Sequence, residues 1–185
     1  MVKEPRVGRV KTRLGKGIGM IPAVWWYRNQ TKSLIKRLKD PRWTLSLAIT
    51  PDVAALNSQL WPRHISRLSQ GRGDLGQKIT KLLRHGPSGP VCVIGSDIPS
   101  IKKKHIKRSF KKLGESEWVF GPTLDGGFWL VGAKRVSAVP LVLFKGVRWS
   151  TQNALKDSLS CISNCRISFN DELRDVDIES DLSFK

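Results

Sequence analysis

The chain alternates short apolar segments with segments whose apolar residues recur every three or four positions. The segment VCVI, Val91–Ile94, is wholly apolar, which is typical of a strand buried on both faces of a parallel sheet. Further strands are predicted at 43–49, on both sides of Asp125 and at 166–169. Helices are predicted at 21–38, at 75–83, in a basic stretch after Ser100 and at 152–162. This alternation predicts an α/β sandwich with a mainly parallel sheet, in which ligands bind beyond the carboxyl ends of the strands.

The two long helical patterns also predict which side chains face the core. These are Val24, Trp25, Leu34, Ile35 and Leu38 in the first helix, and Leu75, Ile79, Leu82 and Leu83 in the second.

Composition limits the class of protein. A chain of 185 residues with 39% hydrophobic residues and seven Trp suits a single packed domain over residues 1–185. We find no apolar run long enough to span a membrane and no signal peptide, so we expect a cytoplasmic protein. Cys92, Cys161 and Cys165 form no metal-ligand pattern with the histidines, and we interpret them as buried or incidental thiols.

The net charge of +18 predicts attraction to anionic partners. The stretch KKKHIKRSFKK, residues 102–112, contains seven Lys or Arg, and Ile106, Phe110 and Leu113 fall on one helix face. A solvated cationic face is the favoured interpretation, and a nucleic-acid surface is the alternative.

A carboxylate follows the strand VCVI. In VCVIGSDIPS, Asp97 lies just past the end of the strand, where it is well placed to bind a metal or a ribose hydroxyl. The alternative is a structural role as the cap of the next helix.

The stretch GPTLDGGFWLVG places Asp125, Gly126 and Gly127 between two core-like strands. Asp-Gly is a common turn signal, and glycine adopts positive φ at little cost. The sharper hypothesis is that the glycines let the backbone and the Asp125 carboxylate approach a ligand.

Near the end of the chain, Asp175 and Asp177 point the same way if the segment is extended. This arrangement is repulsive unless a cation or a Lys or Arg lies between the carboxylates. Mg²⁺ takes such ligands and completes its shell with waters and substrate phosphates. Alternatively, Asp177 caps a helix.

Three further motifs have weaker signals. GRVKTRLG offers Gly8, Arg9, Lys11 and Arg13 as a cradle for a diphosphate. In QGRGDLG, Asp74 has the position of an ordinary N-cap. In GVRWST, Ser150 or Thr151 is a candidate cap, and Trp149 is a candidate wall of a substrate site.

Taken in order, PRVGRVKTRLG, QGRGDLG, VIGSDIP, GPTLDGGFWLVG, VRWST and DVD resemble one bacterial family of glycosyltransferase-A-like proteins, often described as nucleotide-diphospho-sugar transferase-like. The chain is more distantly similar to guanylyltransferases that act on phospholactate and on the molybdenum cofactor. The resemblance runs from Pro5 to Leu182. It implies a three-layer sandwich with a Rossmann-like sheet, a nucleotide or nucleotide-sugar donor, and Mg²⁺ or Mn²⁺ near the diphosphate.

The resemblance also implies roles for single residues. Gly8, Arg9, Lys11 and Arg13 match the loop that holds the nucleotide phosphates. Asp97 matches a metal-binding carboxylate, and Asp175 or Asp177 matches a second one. Asp125, Gly126 and Gly127 match the acceptor-side turn, where Trp149 is also expected. Asp97, Asp125 and Lys11 are the residues expected to take part directly in catalysis.

The family begins with an apolar strand that runs into the phosphate loop, and only Met1 and Val2 of that strand are present here. We therefore expect about five further apolar residues to be encoded upstream of Met1.

Two classes of function follow. The first is a metal-dependent transferase that uses an activated nucleotide, either a glycosyltransferase or a nucleotidyltransferase that releases pyrophosphate. The second is a non-catalytic protein whose basic helix binds nucleic acid or an acidic partner.

Overall fold

A computed structural model describes residues 1–136 and 138–183 of the chain. The strands are β1 Val2–Lys3, β2 Ser46–Thr50, β3 Ser66–Ser69, β4 Val91–Ile94, β5 Trp118–Pro122, β6 Phe128–Ala133 and β7 Ile167–Phe169. The helices are α1 Thr12–Ile18, α2 Met20–Leu38, α3 Asp52–Asn57, α4 Leu75–His85, α5 Lys103–Glu115 and α6 Ala154–Ser160. A 3₁₀ helix follows at Glu179–Ser183. The α/β class predicted from the sequence is confirmed.

The chain divides into two compact units. The first unit contains residues 1–69 and 95–103 and the segment from Arg174 onward. The second contains residues 70–94 and 104–173. No helix in the part of the chain that the structure describes is both long and apolar enough to cross a membrane.

The first unit contains a three-stranded parallel sheet in the order β1-β2-β3. Apolar side chains of β1 and β2 pack against α2, α3 and the segment that leads to β3. The residues of this core are Val2, Ile35, Leu47, Ile49, Ala54, Ala55, Trp61 and Ile65. A second cluster of Leu14, Ala23 and Val176 joins α1 and α2 to the last segment of the unit.

The second unit contains a four-stranded sheet in the order β4-β6-β5-β7. Strand β6 is antiparallel to both of its neighbours, and β5 is parallel to β7. The centre of this sheet is dry, since Val119, Phe120 and Leu130 have no exposed surface. Strand β4 lies at the edge, and its four side chains are only half-buried, so the prediction that VCVI is buried on both faces was wrong.

The inward face of α2 differs from the predicted one. Leu34, Ile35 and Leu38 are buried as expected, but Trp25 has 60% of its surface exposed. The buried stripe begins instead at Ala23 and continues at Tyr27, and Trp25 is about 200° around the helix from Ala23. Trp25 therefore faces solvent.

In α4, Ile79, Leu82 and Leu83 are buried as predicted, whereas Leu75 is 43% exposed. Leu75 is the first residue of this helix, directly after the N-cap Asp74. A position in the first turn has no preceding helical turn to cover it, which accounts for the wrong prediction.

Candidate active site

Four charged side chains of the first unit meet at one point. Lys11 Nζ lies 2.7 Å from Asp97 Oδ2 and 3.6 Å from Asp177 Oδ1. Arg13 donates to the other oxygen of Asp177, with Nη1 2.8 Å from Oδ2. The side chain of Lys11 is 7% exposed, whereas those of Asp97 and Asp177 are 34% and 36% exposed. The cluster therefore has a buried cation and two carboxylates that solvent can reach.

Lys11 reaches this point from a strained backbone. Its φ of 45° and ψ of 47° are left-handed, a conformation that costs an ordinary L-residue about 1–2 kcal/mol. Its carbonyl oxygen accepts the N–H of Gly15, the first hydrogen bond of α1. Val10 and Leu14 are buried on either side and hold the loop in place. Strain of this kind persists only where surrounding contacts determine the conformation, and it concentrates at functional sites.

The loop before Lys11 is open to solvent. Gly8 and Arg9 are exposed, and Gly8 has a φ of 71° that favours glycine. A Cβ added at Gly8 would contact nothing within 4 Å, so no neighbour requires glycine at this position. Of the residues predicted to hold the phosphates, Lys11 and Arg13 thus belong to the charged cluster, whereas Gly8 and Arg9 lie on an accessible loop.

Asp97 is held by the backbone around it. The preceding Ser96 shares a 3.1 Å hydrogen bond with the hydroxyl of Tyr27, which also accepts the N–H of Lys3. The carbonyl oxygen of Asp97 accepts the N–H of Val176. Because the carboxylate of Asp97 pairs with Lys11 and α5 begins only at Lys103, Asp97 does not cap that helix.

Asp177 is oriented by a residue that the sequence did not single out. The carboxylate of Asp181 accepts the N–H groups of Asp177 and Ile178, both at 2.9 Å, and pairs with Arg174 at 3.1 Å. Burial alone would raise the pKa of Asp181, but these hydrogen bonds and Arg174 lower it below its usual value. The carboxylate of Asp177 therefore does not cap the 3₁₀ helix, and it pairs with Lys11 and Arg13.

Lys11 remains a cation in this surrounding. Burial alone would lower the pKa of its ammonium, but the charges of Asp97, Asp177 and Asp175 raise it above the usual value. The sequence predicted a cation between Asp175 and Asp177; the structure instead places Lys11 between Asp97 and Asp177.

The same geometry tests the fit of a divalent cation. Within residues 1–136 and 138–183, no three His, Cys, Asp or Glu side chains are arranged to hold a metal ion. Two carboxylates do converge on one cationic position, and Mg²⁺ is often bound by one or two carboxylates together with substrate phosphates. The ammonium of Lys11 occupies the point where these carboxylates converge, so metal binding here stays a prediction.

In the second unit, Asp125, Gly126 and Gly127 form the turn between β5 and β6. Asp125 Oδ1 accepts the Thr123 hydroxyl at 2.6 Å and the N–H of Gly127 at 3.1 Å. Gly126 has a φ of 82°, and a Cβ there would lie 2.1 Å from the carbonyl oxygen of Gln152. The predicted turn is confirmed, and close backbone packing explains Gly126 without any ligand.

This turn nevertheless borders open space. A cavity of about 570 Å³ in the second unit is lined by Gly126, Gln152, Leu155, Lys156, Leu159, Ser160, Ser163 and Ile167. The side chain of Asp125 is exposed and keeps its second carboxylate oxygen outside the turn contacts described above. An acceptor-side role for Asp125 is therefore sterically open and stays a prediction.

Trp149 lies among aromatic side chains. Its ring centroid is 6.0 Å from those of Phe128 and Phe144, and a Cβ at Gly76 would touch it. Its indole N–H is buried, and it has no hydrogen-bond partner in the described part of the chain. Trp149 therefore helps to build the packing beneath the residue that follows the turn, Phe128.

The remaining motifs have structural explanations. Asp74 is the N-cap of α4 in a capping box with Gln77, as the structural interpretation predicted. The N-cap of α6 is Asn153, so the predicted cap at Ser150 or Thr151 was wrong, although the Thr151 hydroxyl accepts the N–H of Asn153. In α5, Ile106 and Leu113 are buried and Phe110 is half-buried beneath a cationic outer face, which confirms the predicted apolar side.

Known proteins resemble the chain in fold and in sequence. The crystal structure of a putative nucleotide-diphospho-sugar transferase from Desulfovibrio desulfuricans G20 superposes with a TM-score of 0.86 and 26% sequence identity. The alignment covers 96% of this chain and 80% of that one. A comparison with curated proteins finds no match.

The resemblance to nucleotide-diphospho-sugar transferase-like proteins is thereby confirmed at the level of fold. The family described as "Uncharacterized protein conserved in bacteria (DUF2064)" matches residues 34–151, and the protein belongs to this family.

Proposed function

We propose that the protein transfers a sugar from a nucleotide-diphospho-sugar to an acceptor. The observation that carries the proposal is the cluster of Lys11, Arg13, Asp97 and Asp177, which lies in the motifs that carry the resemblance. The fold shared with a putative nucleotide-diphospho-sugar transferase supports it.

In such a transfer the bond between the anomeric carbon and the diphosphate oxygen breaks, and the nucleoside diphosphate leaves with the electron pair. The acceptor hydroxyl forms the new bond and gives up its proton. Cations that face the leaving diphosphate lower the barrier because they stabilise charge that grows in the transition state. Lys11 and Arg13 are the cations that the cluster offers for this task.

The two carboxylates act on these cations before the donor arrives. Asp97 and Asp177 hold the Lys11 ammonium at 2.7 Å and 3.6 Å, so the buried cation is placed and neutralised in the free protein. Donor phosphates that take over Lys11 release the carboxylates. The released oxygens of Asp97 and Asp177, with Asp175 nearby, are the ligands that we propose for Mg²⁺ or Mn²⁺, which would supply further positive charge to the diphosphate.

On the acceptor side, we propose that Asp125 takes the proton of the acceptor hydroxyl. Its Oδ1 is used by the turn and its side chain is exposed, and the next residue, Gly126, lines the cavity described above. Trp149, whose ring contacts that of Phe128, is the candidate wall of the acceptor site in this scheme.

Equilibrium binding of a panel of nucleotide sugars, with and without Mg²⁺ or Mn²⁺, tests the proposal by calorimetry. We expect one nucleotide sugar to bind in a metal-dependent manner to the wild type, and we expect Asp97→Asn to abolish that binding. The matched control is Asp157→Asn, which removes a carboxylate paired with Arg148 at 2.9 Å in the second unit. It should bind like the wild type.

Other outcomes of the same panel would overturn sugar transfer. A nucleoside triphosphate that binds more tightly than every nucleotide sugar, with pyrophosphate as product, would assign nucleotidyl transfer. Binding that is unaffected by Asp97→Asn would refute the site. Failure of the whole panel, together with salt-dependent oligonucleotide binding that neutral residues at Lys102–Lys104 abolish, would assign a non-catalytic protein.

A further inference from the structure

The outward stripe of α2 has an apolar end and a basic end. Ile21 and Trp25 are 62% and 60% exposed, and they are four residues apart on one helix face. The same face continues with Arg28, Lys32 and Lys36 at spacings of three and four residues. Together these five residues form what we call the α2 stripe.

The stripe carries only one sign of charge. The 19 residues of α2 include four Lys or Arg and no Asp or Glu. Among the residues that the structure describes, no carboxylate pairs with Arg28, Lys32 or Lys36. Elsewhere in the first unit, Asp40, Asp97, Asp177 and Asp181 are neutralised by pairs with Lys or Arg. The charges of the stripe are left available to an external anion.

The opposite face of α2 is fixed in the protein. Ala23, Thr31 and Leu38 have almost no exposed surface, and Tyr27 is tied to Ser96 and Lys3. The helix, about 28 Å long at 1.5 Å per residue, is therefore a rigid surface element. Any partner meets Ile21 and Trp25 in a fixed orientation, with the cations lying beside them.

We propose that the α2 stripe binds the surface of an anionic lipid bilayer. Trp25 and Ile21 would enter the boundary between headgroups and acyl chains, where Trp is favoured. Arg28, Lys32 and Lys36 would lie over the headgroup phosphates, and such contacts contribute about fivefold in affinity per cation. Because the buried face of α2 belongs to the protein core, only the outer stripe inserts, and the binding is shallow and reversible.

The apolar end distinguishes a lipid surface from a nucleic acid. The phosphates of a nucleic acid would attract only the cations of the stripe, and its bases could stack on Trp25. Neither offers a partner for the aliphatic side chain of Ile21, which is 62% exposed. Hydrocarbon does, since burial of an aliphatic side chain is favourable in proportion to its apolar area.

Co-sedimentation of the full chain with vesicles tests the proposal. The probes are vesicles of phosphatidylcholine alone and of phosphatidylcholine mixed with phosphatidylglycerol. We expect binding only to the mixed vesicles, and we expect it to weaken with salt. Lys32→Glu with Lys36→Glu should weaken it by at least about 25-fold, from fivefold per cation, and Trp25→Ala and Ile21→Ser each by about tenfold.

Two matched controls separate the stripe from the net charge and from general stickiness. Lys107→Glu with Lys111→Glu makes the same change of charge on exposed positions of α5 in the second unit. Leu56→Ser removes an aliphatic side chain in α3 that is 83% exposed. Both should bind vesicles much more like the wild type than the stripe variants do, and circular dichroism and thermal unfolding verify that every variant is folded.

Three results would overturn the proposal. One is equal loss of binding in the α5 control and the α2 charge variant, because net charge would then be the cause. Another is vesicle binding that is unchanged in both Trp25→Ala and Ile21→Ser. The third is binding of an oligonucleotide, lost with Lys32→Glu and Lys36→Glu, in a protein that does not bind the mixed vesicles.

Discussion

Replacement of Lys11 by Met removes the ammonium from the charged cluster and keeps most of the side-chain stem. The side chain of Lys11 is 7% exposed, and the side chains of its partners Asp97 and Asp177 are 34% and 36% exposed. Loss of one partner of a fully buried pair costs about 3–5 kcal/mol. Here water reaches both carboxylates and Arg13 still pairs with Asp177, so we expect the free energy of unfolding to fall by about 2 kcal/mol.

Urea denaturation followed by circular dichroism measures this loss, and the midpoint of thermal unfolding should fall by about 4–8 °C for a chain of this size. The double variant Lys11→Met with Asp97→Asn should lose less than the sum of the single variants, with a coupling of about 1 kcal/mol or more. Additive losses would refute the interpretation that Lys11 chiefly neutralises Asp97.

The pH dependence gives a second test with a fixed sign. The pKa of Lys11 is raised in the folded protein, so its stabilising contribution is fully present below the ordinary lysine pKa of 10.5. The contribution is lost as the pH rises through the folded pKa. The difference in stability between wild type and Lys11→Met should therefore be constant at neutral pH and shrink in strongly alkaline solution. A difference that grows with alkaline pH would contradict the assigned charge pair.

Three further predictions concern the second unit and the thiols. Asp125→Asn should leave the free energy of unfolding within about 0.5 kcal/mol, since an amide oxygen can accept the same two turn hydrogen bonds, whereas Asp125→Ala should lose about 1–2 kcal/mol in urea denaturation. Gly126→Ala should lower the free energy of unfolding by about 2–4 kcal/mol, because Gly126 has a positive φ and an added Cβ would meet the Gln152 carbonyl. Gly114→Ala should raise it by about 0.5–1 kcal/mol, because Gly114 lies in open space within α5. Cys92 is half-buried on β4, but desolvation of its thiol raises the pKa to about 12. Peptide mapping after iodoacetamide treatment should therefore find Cys161, which is exposed, alkylated well before Cys92.

Local features of the fold were predictable from the sequence. The bounds of Val91–Ile94 agree with the prediction, and α2 begins one residue earlier than predicted. The Asp125 turn and the Asp74 cap were recognised because their chemistry involves neighbours within three residues. The helix α1 was missed because it contains two glycines, Gly15 and Gly17, and follows the left-handed Lys11, so its apolar residues show no clear helical period.

The buried face of α2 shows where prediction from hydrophobic periodicity fails. Trp25 and Tyr27 are both aromatic, and hydrophobicity alone favours Trp25 as the buried residue. The structure buries Tyr27 because its hydroxyl finds Ser96 and the N–H of Lys3, 69 and 24 residues away. The phenol is paired, and burial raises its pKa, so it stays neutral. A buried polar group needs such partners, and no local pattern indicates them.

The charged cluster illustrates a second limit of prediction from sequence, because its residues are far apart in the chain. Its motifs are therefore informative only when they are considered together. Lys11 meets Asp97 across 86 positions, and Arg13 meets Asp177 across 164. The sequence indicated that Asp175 and Asp177 require a cation between them, but it did not predict that Lys11 lies between Asp97 and Asp177. Three distant segments must fold correctly to bring these charges together, and Asp181 and the Val176 N–H complete the arrangement. Each carboxylate would be repelled by the other without Lys11, so the cluster favours one cationic occupant of its centre at a time. In the proposed transfer, a donor diphosphate that attracts Lys11 would open the carboxylates to a metal, and this order predicts weak metal binding in the absence of nucleotide.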